Sequence, residues 1–164
     1  MRESRFTGVI AATLCQPISH VRQILRALRE DGQIPGISGG DLQIEHLAAV
    51  VIGVTADFVK DAAGRARSLG ALTLQSVADL PSTGGVMLTR LMSTIATSPV
   101  VADYDLDDGY LHIGDDSIVL ECLTLDGRRA CIRYGSGAPA IAATTTSFPT
   151  SALLALATAI RNQK

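Results

Sequence analysis

Arginine pairs well with the edge of guanine and glutamine with that of adenine. This sequence sets Arg22 and Gln23 side by side. Ser19 and Arg26 fall on the same side as these two if the segment is helical, at about 100° per residue. Ser19, His20 and Arg26 suit contacts to phosphate, and Arg2 and Arg5 supply two further cations from an amino-terminal arm. No acid interrupts this flank until Glu30. The chemistry it offers is recognition of a nucleic acid, with base edges read by Arg22 and Gln23 and phosphates held by the others.

Those side chains need a rod to carry them. Residues 7–29, TGVIAATLCQPISHVRQILRALR, read as two short helices joined by a sharp turn. In the second, Val21, Ile24, Leu25 and Leu28 recur at i, i+3, i+4 and i+7, one apolar stripe opposite the cationic flank. Ala11 is small, Leu14 apolar, and Cys15 lies where the chain must turn. This spacing resembles the helix-turn-helix motif of bacterial and phage DNA-binding proteins. In that family a small residue marks the helix crossing, the turn usually holds glycine, and the second helix supplies two apolar anchors three apart. Ala11 takes the crossing position, Leu14 the site before the turn, and Val21 and Ile24 the anchors. Pro17 stands where the family often has a serine or threonine cap, and proline suits the first turn of a helix. Cys15 is a departure, because glycine adopts the left-handed turn at least cost. The resemblance covers about 20 of 164 residues. It implies a double-stranded-DNA-binding head; the alternative is an ordinary pair of helices in some other helical domain.

The bulk numbers agree with a folded chain: 47% of residues are hydrophobic and 18% charged, which excludes disorder. The net charge of −2 is unevenly spread. Residues 1–31 hold five arginines against three acids, a surplus of two, while the rest holds nine bases against thirteen acids. The positive charge therefore sits with the reader, as phosphate attraction requires. So small a surplus implies weak binding per subunit, which oligomerisation would remedy. Arg2 and Arg5 before GVIAATLC imitate a lipoprotein signal, but the apolar run is short and Leu14 is too large for the usual cleavage site. No run reaches the roughly 20 apolar residues of a membrane span. The expected location is the cytoplasm, with no membrane partner. Cys15, Cys122 and Cys131 are too scattered for a metal site or a disulfide framework.

Further along, ISGGD at 37–41 reads as a linker in preference to the wing of a winged domain, since it lacks basic residues. It also lacks the Gly-Lys-Ser/Thr ending of a phosphate loop. Residues 42–67 form the longest helical candidate, capped by Asp41, with Lys60, Arg65 and Arg67 at the favourable end. Its middle, Leu47 to Val54, is apolar on nearly every face, which implies burial, preferably against another subunit. A short helix over 72–80 stops at Pro81. Ser82 or Thr83 caps another over 85–97, its apolar positions Val86, Leu88, Leu91, Met92 and Ile95, with Arg90 reaching for water.

The character then changes to β-branched residues and turn signals, predicting a meander at 109–113, 117–125 and 128–134. Asp126-Gly127 reads as a two-residue hairpin turn. That register sets Thr124 opposite Arg129 and Cys122 opposite Cys131, both thiols reduced. Asp103, Asp105, Asp107 and Asp108 do not make a calcium loop, because Asp108 and Gly114 occupy the positions that need glycine and glutamate. A solvated loop is expected there. Residues 139–147 offer one more strand. A closing helix over 150–162 carries Leu153, Leu154, Ala157 and Ile160, with Pro149 near its start.

The expected fold is α+β: a helix-turn-helix head at 1–35, a helical oligomerisation region at 41–98, and a β-meander with a closing helix at 103–164. No catalytic set is legible, since His20, His46 and His112 fall in three modules without paired carboxylates or ligand spacing. No enzyme activity, cofactor or metal is therefore expected. The expected function is that of a bacterial or phage transcriptional regulator, a homo-oligomer with a β domain free to meet another protein. A small terminase subunit, which recognises DNA for viral packaging in a ring, shares the same layout and is the alternative. A third reading uses the helical pair as a protein-interaction module.

Overall fold

In the first helix Phe6, Thr7, Ile10 and Ala11, with Leu14 just past its end, lie at helical spacing and are buried, so one face of this segment is committed to the core. A computed structural model describes residues 3–36, 42–73, 83–95, 100–101, 104–135 and 145–162. It forms α1 at Glu3–Thr13 and α2 at Ile18–Glu30. The turn between them is a left-handed helix stop. Gln16 N–H reaches back to Ala11 O at 2.9 Å, and Cys15 has a φ of 51°. This is the bond that closes a helix over a residue usually glycine. Cysteine therefore adopts the left-handed conformation here. Pro17 follows as the residue before α2, with φ −59° and no side-chain cap. Its ring cannot prolong α1 and starts α2 cleanly. Val21, Ile24, Leu25 and Leu28 of α2 are wholly buried.

The single helix expected over 42–67 is broken. A 3₁₀ turn at Ile44–His46 leads into α3 at Leu47–Gly53; a second 3₁₀ turn at Val59–Asp61 precedes α4 at Ala62–Gly70. The Thr55 hydroxyl donates to Ile52 O at 2.7 Å, a local bond that competes with helix continuation. Gly53 sits against α2: a Cβ there would lie 3.2 Å from Ile24 Cγ2. The chain folds α4 back onto α3. The apolar run Leu47 to Val54 is thus covered within one chain, most of its side chains under 10% exposed, and needs no second subunit to bury it. His46 closes the first 3₁₀ turn by accepting the Gln43 N–H at 3.0 Å on Nδ1.

Side-chain bonds anchor α4 to its surroundings. Arg67 pairs with Asp31 at the end of α2, and Gln33 Nε2 donates to Asp31 and to Ala63 O, each at 2.7 Å. Arg65 was expected to serve the helix dipole. It instead donates to Thr55 Oγ1 at 2.9 Å and to Gly114 O at 2.8 Å. Next, α5 spans Gly84–Ile95; Thr83 Oγ1 accepts the Val86 N–H at 3.4 Å. Val86 faces solvent, and Met87 takes the inward position beside Leu88, Leu91 and Met92.

Among the described residues, five strands form one antiparallel sheet: β1 at Val100–Val101, β2 at Tyr104–Ile113, β3 at Ser117–Thr124, β4 at Arg129–Gly135 and β5 at Thr146–Pro149. β2, β3 and β4 make the meander, while β1 and β5 both pair with the free side of β2. The acidic stretch from Asp105 to Asp108 is not a loop but a bulge within β2, where the register on β3 shifts.

The β3–β4 register is one residue away from expectation. Cys122 pairs with Ala130, Glu121 with Cys131 and Leu123 with Arg129. The turn has three residues, not two: Thr124 N–H donates to Arg128 O at 2.7 Å, Gly127 N–H donates to Thr124 O at 2.8 Å, and Gly127 has a φ of 79°. A turn closed by a left-handed glycine adds one residue and shifts every pairing after it. Cys122 is consequently buried and Cys131 exposed, both unpaired. Burial pushes the Cys122 thiol up to about 11.

The inner sheet face, with Leu111, Ile113, Ile118, Leu120, Ile132, Tyr134 and Phe148, packs under α5 and the closing helix α6, Thr150–Arg161. Leu153, Leu156 and Ala157 of α6 are fully buried, and Thr150 Oγ1 donates to Gly109 O at 2.9 Å. One apolar cluster includes residues of α1 through α6 and of the sheet. Among the described residues no helix is long and apolar enough to cross a membrane. The expected helix over 72–80 does not start at its first residues, since Thr73 bridges Thr83; the rest of it up to Pro81, the linker at 37–41 and most of a strand over 139–147 lie outside the described residues, as do Arg2 and Asp103.

Candidate functional site

Among the described residues, two of the faces left open by this packing gather polar side chains. The first is the flank of α2. Pro17, Ser19, Arg22, Gln23 and Arg26 are exposed and His20 half-buried, because the stripe from Val21 to Leu28 turns the opposite side of the helix to the core. No later part of the described chain covers Arg22 or Gln23. The structure thus groups Ser19, Arg22, Gln23 and Arg26 on one surface. Arg26 is engaged at its far end: its Nε donates to Glu30 Oε1 at 2.8 Å, and Glu30 raises the guanidinium still further above its ordinary value. Both partners are exposed, so water and salt screen the bond and a phosphate can compete for it. Arg5 does not lie in an arm, since α1 already begins at Glu3. Sequence reasoning passed over Ile18. It opens α2 on the same flank and is 53% exposed.

The second open face is the outer side of the sheet, and here His112 meets two side chains that the sequence keeps 35 and nine positions away. Residue alternation puts Tyr110 and His112 of β2, Glu121 of β3, Cys131 of β4 and Ser147 of β5 on this side. His112 pairs in register with Ser147, and Ser147 Oγ lies 2.8 Å from His112 Nδ1. The other ring nitrogen, Nε2, is buried with no hydrogen bond and lies 3.6 Å from Glu121 Oε2. Tyr110 stacks on the imidazole, with ring centroids 6.1 Å apart and planes 22° from parallel. The sequence reading, which weighs paired carboxylates and ligand spacing, does not foresee the single carboxylate of Glu121 beside His112. It missed this group because the neighbours come from pairing between strands, where no local spacing exists. The signal available was the alternation along β2 and β3, which already put Tyr110, His112 and Glu121 on the polar side. Among the described residues no cluster of three or more His, Cys, Asp or Glu side chains is arranged to hold a metal.

Comparison with known proteins returns no match, whether with family profiles, curated sequences or solved structures.

Proposed function

We propose that this chain binds double-stranded DNA by laying α2 in the major groove, most simply as a transcriptional regulator. The observation that carries the reading is the open flank of α2, with Ser19, Arg22, Gln23 and Arg26 facing solvent on a helix braced against α1. An α-helix fits the major groove, and its amino-terminal part meets the base edges. In this reading Arg22 and Gln23 contact bases, while Ser19, His20 and Arg26 hold phosphates. Arg26 would exchange Glu30 for a phosphate on docking. The surplus of two positive charges in residues 1–31 supports modest affinity per chain, so two copies on half-sites about one helical turn apart would give useful binding.

The test is a mobility-shift series on duplexes selected from random DNA. Arg22→Ala should reduce discrimination between selected and unrelated duplexes by about 1–3 kcal/mol. Arg26→Ala should weaken every duplex alike and flatten the salt dependence. A parent protein that shifts no duplex at low salt defeats the proposal, as do two variants that behave like the parent. Native mass then distinguishes a dimeric regulator from a ring of many subunits, as in DNA packaging.

A further inference from the structure

The group on the outer sheet face has the connectivity of an activated nucleophile. An alcohol attacks a carbonyl only if a base takes its proton, and the base works only if its lone pair faces that alcohol. The Nδ1 atom of His112 is 2.8 Å from Ser147 Oγ, within reach for that transfer. The tautomer is set from the other side of the ring. Nε2 is buried without a hydrogen bond, and the carboxylate of Glu121 stands 3.6 Å away. A carboxylate there favours the N–H on Nε2, which leaves the Nδ1 lone pair on the serine hydroxyl. The Glu121 side chain is 53% exposed and the His112 side chain only 26%. Glu121 is therefore the partner with freedom to close the last fraction of an ångström when the ring gains charge. Tyr110 stacked on the imidazole restricts the ring's plane.

We propose that Ser147 is a nucleophile, with His112 as its general base and Glu121 as the residue that orients His112, acting on small activated esters. A shallow depression of about 360 Å³ lies on the Glu121 side of the group, lined also by Asp108, Tyr110, Leu123, Arg129 and Cys131, and neither Ser147 nor His112 is among its lining residues. Ser147 itself is exposed, so the acyl group within its reach is that of a small ester activated by its own leaving group. In the reaction Ser147 Oγ bonds to the acyl carbon, its proton passes to Nδ1, and the carbonyl π pair moves to oxygen. The oxyanion collapses, the bond to the leaving alkoxide breaks, and that alkoxide takes the proton from Nδ1. Water then adds to the acyl-serine, giving its proton to Nδ1. Ser147 Oγ departs and recovers the proton, and a carboxylic acid is released. This activity is independent of whether α2 binds DNA.

The full-length chain is treated with a fluorophosphonate probe, which phosphonylates activated serines with loss of fluoride, and the labelled peptide is identified by mass spectrometry. The expected result is one label, on Ser147, with slow turnover of 4-nitrophenyl acetate. Ser147→Ala and His112→Gln should abolish both signals while keeping the parent's circular dichroism. Glu121→Gln should slow labelling by roughly tenfold or more and alter its pH profile, which a purely structural role would leave unmoved. Label confined to other residues, no label at all on the folded parent, or labelling undiminished in folded His112→Gln would overturn the proposal.

Discussion

The flank of α2 and the outer face of the sheet both offer polar side chains to solvent, yet one is made by a single helix and the other by three strands. On α2 every neighbour is within a turn, so the helical period alone places Ser19, Arg22, Gln23 and Arg26 together. On the sheet the neighbours come from three separate stretches of chain, and the Ser147–His112–Glu121 group exists only if each pairing is in the observed register. A helical face tolerates errors elsewhere in the chain. A sheet face does not, because slipping one residue sends every side chain to the opposite side.

The largest test of this contrast is on the buried side of α2. Leu25→Ala should cost about 2–5 kcal/mol in urea unfolding, since Leu25 is fully buried. Arg22→Ala, at an exposed position of the same helix, should change stability by no more than about 0.5 kcal/mol. Equal costs would show that the two sides are not divided as described. A smaller effect is expected at the β3–β4 turn. Gly127 adopts a φ of 79° with open space around it, so Gly127→Ala should lose about 1–2 kcal/mol from conformation alone. If the variant is as stable as the parent, the three-residue turn does not set the register.

The smallest effect is electrostatic. The Gln33 amide first, and then Arg67, hold the Asp31 carboxyl below its ordinary value of 3.8. A depressed carboxylate stabilises the fold above its unfolded value, and the contribution is lost as pH falls through the folded one. The loss should therefore begin near pH 4 and continue below it, and Asp31→Asn should remove that part of the acid dependence. Identical acid-unfolding curves for the two proteins would exclude the effect.

What was legible in the sequence follows the same division. The α2 stripe and the α6 positions Leu153 and Ala157 were readable because a helix repeats its own pattern. The break after Gly53 was not, since an unbroken apolar run outweighs the weak signals of Val54 and Thr55. Asp126-Gly127 correctly announced a turn but not its length, and the extra residue is what separates Cys122 from Cys131. His112 was visible as a lone histidine. Ser147 reaches it only because β5 pairs with β2, and nothing local to either stretch specifies that.

One helix makes these faces parts of the same body. α6 touches both α1 and β2, and its buried residues belong to the cluster that also holds the α2 stripe. The angle between the two faces is accordingly built in, as between two flats cut on one block. A duplex laid along α2 would therefore also set the direction in which Ser147 looks, so the heading of the bound protein on its DNA would decide what comes within reach of the sheet.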